Sequence, residues 1–346
     1  MDAVQQSTTR QKVTIGLGPI LAFVLLACGL AWLVALPLWL GDGLASPLTG
    51  VLLPLMMFTP ALALLIVMFT MHAIPKGERL RFLGMWPLRP AKRVVWMMVI
   101  GLFGTVAVVV AAMLLSVALG WLSADFIGLS GFAQTLESSV PAGTPLPPAW
   151  VLVAVQLASI PFAAATINAV MAFGEEVGWR GFLVPALRRY GTWPALLISG
   201  AIWGVWHAPV ILLGYNFGRT DITGVLLMTA GCIVWGVLLG WLRLRSASMW
   251  PAVFAHGALN AAAGLPIVFL AAGAVTDPAL SMALGASGWI VGGAIIVVLL
   301  LTGQFRQQPN LAEPKPRASV APPIAPPAPP VAPPAPPVAP PAPPVA

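Results

Sequence analysis

The chain has 346 residues, of which 59% are hydrophobic and only 8% charged, with a formal charge of +7. The apolar excess excludes a soluble globular domain, and the scarcity of charge leaves no basic folded face for nucleic acid. The positive balance fits anionic lipid headgroups instead, so membrane lipid is the expected surrounding and nucleic acid is not an expected partner.

Residues 1–12 are polar and read as a cytoplasmic N-terminal segment. Eight apolar runs follow, at roughly 19–40, 51–73, 94–121, 150–174, 193–214, 223–242, 249–272 and 283–303. About 20 apolar residues cross a bilayer as a helix. The expected fold is therefore all-α, a polytopic membrane bundle of about eight transmembrane helices, because a barrel needs short alternating strands. The first run is too long for a signal-peptide core and is read as a retained anchor. Cys28 and Cys232 both fall inside spans, with no zinc-ligand spacing around them and no disulfide expected.

Charge placement supports this count. Lys76, Arg79, Arg81, Arg89, Lys92 and Arg93 fall between the second and third spans, and further basic clusters fall between every alternate pair. All but one of the 17 basic residues lie on the same side, Arg219 being the exception. The positive-inside rule then puts both termini in the cytoplasm of an integral multi-pass protein. An odd number of spans would scramble the segregation.

Spans one to three and their loops occupy 13–149. The loop at 75–93 has the makings of a short interfacial helix, and Trp86 and Trp96 suit the headgroup zone. The loop at 122–149 faces the other side. Residues 150–304 form the core with helices four to eight, where Pro161, Pro209 and Pro266 are expected to kink their helices and Pro251 to start one. Gly200-x-x-x-Gly204, Gly236-x-x-x-Gly240 and Gly288-x-x-x-Gly292 suit close helix packing within the chain. Residues 305–346 read as a disordered, proline-rich cytoplasmic tail, with three copies of A-P-P-A-P-P-V at 325–345. As polyproline II, residues 321–346 would reach roughly 80 Å.

The informative residues are polar groups inside these apolar runs. Glu175-Glu176-x-x-x-Arg180 ends the fourth. Trp203-x-x-x-His207 lies in the fifth and His256-x-x-x-Asn260 in the seventh. Ionisable groups in hydrocarbon are costly, so they face a cavity or partners and mark function. Helix residues one apart diverge by about 100°, so the two glutamates cannot share a target. Glu176 and Arg180 are spaced i, i+4 in the favourable order for an ion pair. Glu175 is then left to face a cavity as a general base. An interfacial charge cluster, or polar glue between helices, would account for any one of these motifs alone.

Together and in this order, the three motifs resemble those of the CAAX-processing and bacteriocin-processing (CPBP) family of intramembrane proteases, which includes the type II CAAX prenyl endopeptidases. The resemblance covers roughly residues 150–272; Trp203 stands where the family more often has Phe. It implies an endopeptidase acting on a membrane-associated or CAAX-like protein or peptide. Glu175 and His207 would activate water, His256 and Asn260 would bind the oxyanion, and Glu176, Arg180 and Trp203 would support them. The absence of an H-E-x-x-H signature favours a glutamate mechanism without a cofactor; zinc held by Glu175, His207 and His256 is the metalloprotease alternative. The cavity is expected to open to the cytoplasmic side. A transporter with a Glu/His proton relay and a non-catalytic immunity or scaffold protein are the competing classes. Neither the oligomeric state nor the natural substrate is legible. The depths of His207 and His256, counted from the ends of their runs, differ by about 10 Å at 1.5 Å per residue.

Overall fold

The computed structural model describes residues 13–306, and every described regular element is helical. The expected N-terminal segment and all but the first two residues of the expected proline-rich tail lie outside the described residues. In chain order the helices are α1 (Leu17–Leu40), α2 (Thr49–Met56), α3 (Thr59–Thr70), α4 (Arg79–Phe82), α5 (Ala91–Ala118), α6 (Ser130–Ser138), α7 (Ala149–Ala165) and α8 (Ile167–Glu176). A π-helical segment, Val177–Leu183, continues α8 into α9 (Val184–Leu187). Then come α10 (Thr192–Trp206), α11 (Ala208–Ile211), α12 (Ile222–Ser246), α13 (Trp250–Ala262), α14 (Leu265–Val268), α15 (Pro278–Ser281) and α16 (Ala286–Leu301).

Among the described residues six stretches are long and apolar enough to cross a membrane, and a seventh is formed if α7 and the helix after it count as one span bent by 41°. The protein is an integral, multi-pass helical bundle. The remaining expected span, 193–214, is present as α10 and α11. The helix stops at Trp206 after 15 residues, which is too short to cross alone.

α1 shows how an all-apolar helix finds its packing face. Phe23, Ala27, Ala31 and Ala35 recur every fourth residue and are buried, while Leu21, Leu25 and Leu33 between them are exposed to lipid. Small residues let backbones approach where lipid offers no hydrophobic drive. α10 packs on α12 in the same way, and α13 is enclosed by α5, α7 and α8. All three glycine motifs are internal contacts. A Cβ at Gly204 would lie 2.4 Å from Thr229 Cα, one at Gly236 would meet Gly200, and one at Gly292 would meet Val234.

Prolines act mostly as starts. Pro209, Pro251 and Pro266 sit in the first turn of α11, α13 and α14, where a missing N–H costs nothing. Pro161 lies inside α7, and the break expected there comes later, at Thr166. The 75–93 loop does hold a short helix, α4, and the 122–149 loop contributes α6.

Candidate active site

α8 runs into the bundle and delivers Glu175 and Glu176 side by side, 2% and 0% exposed. The π segment that follows widens the helix by one residue per turn, a feature common at functional sites. It keeps Arg180 within reach of Glu176: Arg180 Nη1 donates to Glu176 Oε1 at 2.7 Å, with both side chains buried. His256 Nδ1 meets the same oxygen at 2.9 Å. Glu176 is thus the acceptor for a cation and an imidazole at once. The Arg180 guanidinium also lies 4.4 Å over the Trp203 ring, so its charge is held by a carboxylate and a π face together.

Glu175 points away from this pair, as its position on the helix requires. Its Oε2 accepts the Trp203 indole N–H at 2.6 Å. Trp203 therefore serves both glutamates, one through its N–H and the other through the arginine on its face. Its ring also packs edge-on to His256 at 5.2 Å.

His207 sits where α10 ends. Its backbone N–H turns to the Gly204 carbonyl, three residues back, as the helix tightens ahead of Pro209. The Trp203 carbonyl, four residues back, receives the side chain instead: His207 Nδ1 lies 2.8 Å from it. A carbonyl can only accept, so Nδ1 carries the proton. The neutral ring then has a bare Nε2. Trp206 packs edge-on against this imidazole at 4.6 Å and is itself anchored by donating to Thr59 Oγ1 at 3.0 Å.

Glu175, Trp203, His207, His256 and Asn260 all line one cavity of about 840 Å³. Asn260 is exposed to it, one turn beyond His256 on the same face of α13. All four residues that the resemblance makes catalytic therefore reach one space. Their depths match because α13 starts inside the protein. Met249 N–H and Ser248 Oγ both donate to the Gly84 carbonyl, and Trp250 Nε1 donates to Met85 O, so the loop after α4 caps the buried start of α13. This raises His256 to the level that α10 reaches only at its far end.

The lining also includes Thr49, Gly50, Tyr215, Asn216, Gly264 and Pro278, from chain segments that alternate along the sequence with the basic loops. Trp179, Phe182 and Met249 are fully buried. Arg243, also buried, donates to the carbonyls of Arg180 and Phe82 at 2.9 Å each. Sequence reasoning missed Arg243, because a basic residue near a helix end reads as a surface charge. It also missed the Trp203–Glu175 bond; the need of a buried indole N–H for an acceptor was the available clue.

Among the described residues no three His, Cys, Asp or Glu side chains are grouped to hold one ion.

Similarity to known proteins falls on this region. Over 92 residues the chain is 28% identical to CAAX prenyl protease 2 of Methanococcus maripaludis, an alignment covering 25% of this chain and 34% of that protein. The chain thus spans about a third of that relative's length. Residues 148–262, the segment that supplies every motif side chain from Glu175 to Asn260, match the family model of type II CAAX prenyl endopeptidase Rce1-like proteins.

Proposed function

We propose that the protein is an intramembrane endopeptidase whose water is activated by Glu175 and His207. The observation that carries this reading is the convergence of Glu175, His207, His256 and Asn260 on one cavity in an otherwise apolar bundle. The match to a protease family supports it.

In this mechanism Glu175 takes a proton from water while the bare His207 Nε2 accepts a hydrogen bond from the same molecule. The water oxygen adds to the peptide carbonyl carbon. The resulting oxyanion receives the Asn260 amide N–H and the His256 Nε2–H. His256 donates from Nε2 as an imidazolium, since its Nδ1–H is held by the Glu176 carboxylate. Collapse breaks the C–N bond, and the proton on Glu175 passes to the departing amine. Side-chain donors here take the place of the backbone oxyanion hole of soluble proteases. No step calls for a metal ion.

The test is hydrolysis of a quenched peptide by the purified chain in detergent. Glu175→Gln keeps the shape and removes the base, so turnover should fall by at least about 10²–10⁴-fold with an unchanged melting temperature. EDTA and 1,10-phenanthroline should leave the parent active. Near-normal turnover by Glu175→Gln would sink the base assignment. Stoichiometric zinc, lost together with activity in His207→Ala, would replace the metal-free route. Solute flux in liposomes without any hydrolysis would favour the transporter class.

A further inference from the structure

Pro60 has no N–H to offer the Met56 carbonyl four residues back, so the apolar stretch Thr49–Thr70 cannot stay one regular helix. It breaks into α2 and α3, with Met57 and Phe58 between them. The break lies inside the bundle, where Met56, Thr59 and Pro60 are buried. It also lies outside residues 148–262, the segment that matches the protease family.

Both helices that supply the water-activating side chains meet this break. α8 meets it through glycine. A Cβ at Gly174, the residue before Glu175, would fall 2.7 Å from the Met57 carbonyl oxygen and 2.8 Å from the Phe58 ring. One at Gly178, in the π segment, would fall 2.7 Å from Pro60 Cβ. Without those Cβ atoms the backbone that carries Glu175 rests directly on the break. α10 meets it through a hydrogen bond: Trp206 Nε1 donates to Thr59 Oγ1 at 3.0 Å, and both residues are buried. Away from water neither group has another partner to turn to, so the bond is costly to break. Trp206 precedes His207 and packs edge-on against its ring. A second grip falls beyond the histidine, where Trp39 of α1 donates to the Pro209 carbonyl at 2.8 Å. The chain on either side of His207 is thus tied to the N-terminal helices at the point where α10 ends.

We infer that Thr59 is a positioning residue, and that the α2–α3 break is the spacer that sets His207 against Glu175. The roles of those two side chains rest on the proteolytic reading above; the grip on His207 does not. A water molecule shared by both must lie within hydrogen-bond reach of each, so an error of about 1 Å in their spacing is enough to lower turnover by roughly 10²-fold.

The test compares Thr59→Val, which keeps the shape and removes the acceptor, with Thr59→Ser, which keeps the acceptor. Thr70→Val, the same exchange at the exposed far end of α3, is the control. In detergent with a quenched peptide, Thr59→Val should lower kcat by about 10–10²-fold with KM changed less than about twofold. Thr59→Ser should recover most of that loss, and Thr70→Val should match the parent. A loss confined to KM, or equal losses in Thr59→Val and Thr59→Ser, would overturn the assignment.

A second readout needs no hydrolysis. The chain has three histidines, His72, His207 and His256, so histidine-selective isotope labelling gives the ring-nitrogen resonances of three imidazoles. His207→Gln assigns the pair from His207. Thr59→Val should shift that pair and leave His72, which follows α3, in place. Trp39→Phe, at a partly exposed indole, should shift the same pair and supplies the readout if Thr59→Val does not fold. Unmoved His207 resonances in folded Thr59→Val, or in Trp39→Phe where that variant stands in for it, would overturn the inference. A parent chain that cleaves no peptide defeats the proteolytic reading, while the resonances still decide whether the N-terminal helices hold His207.

Discussion

Two adjacent carboxylates on α8 have opposite surroundings, and the difference follows from about 100° of helix rotation. Glu176 faces Arg180 and His256 through a single oxygen, whereas Glu175 faces the cavity with one indole N–H bound. Removing the arginine leaves a buried carboxylate short of its cation, which typically costs roughly 3–5 kcal/mol. Arg180→Ala should therefore lower the melting temperature in detergent sharply. Glu176→Gln should lower it as well, because Arg180 and the His256 imidazolium then lose their shared carboxylate. Equal, small shifts for the two would mean that the buried pair is not structural. Asn260→Ala should show the opposite profile: intact stability, a kcat about 10²–10³-fold lower, and little change in KM, because its donor is needed when charge develops on the oxyanion. A loss confined to KM would make Asn260 a substrate contact. The Glu176–Arg180 pair was legible in the sequence because both partners lie on one helix at a fixed spacing. The His256–Glu176 bond was not, since its partners are 80 residues apart and nothing local relates them.

Between helices, glycine sets how closely backbones approach. Gly200 and Gly204 on α10 face α12, where an added Cβ would fall 2.8 Å from Ile233 Cα and 2.4 Å from Thr229 Cα. Neither backbone can yield without moving a whole helix, and α10 carries Trp203 and His207. Gly204→Val should thus reduce thermal stability by about 1–3 kcal/mol and displace the imidazole, lowering hydrolysis with it. Gly293→Ala on α16, where nothing lies within 4 Å of the added methyl, should be neutral in the same melting and turnover assays. A tolerated Gly204→Val would show that the contact can open. Hydropathy located every long helix, because lipid exposure demands a sustained apolar run. It could not locate the breaks at Thr166, Val177 and His207, which are set by side-chain hydrogen bonds and by packing. Those breaks place the site residues, so the motif membership of Glu175 and His207 could be read where their geometry could not.

Across the whole molecule, the bundle is closed at the end with the basic loops by a few contacts between distant segments. Arg243 on α12 and the Gly84–Met85 turn join the π segment, α12 and the start of α13. Arg243→Met keeps the side-chain stem and removes the donors. It should lower the melting temperature and make the neighbouring Arg79, Arg81 and Arg89 quicker targets for trypsin, measured as the rate at which the intact band is lost. Unchanged cleavage would show that the loop holds itself in place. This closure also orders the making of the protein. Phe82 and Arg243 are 161 residues apart. At about 5–20 residues per second, the ribosome delivers the second some ten to thirty seconds after the first. During that interval the Phe82 carbonyl lacks the Arg243 guanidinium and the Gly84 carbonyl lacks Ser248 and Met249, and α13 cannot take its recessed start until α12 has arrived. His256 of α13 therefore reaches Glu176 only when most of the chain is already in the membrane, so under the proposed mechanism a nascent fragment that already displays Glu175 should be inactive.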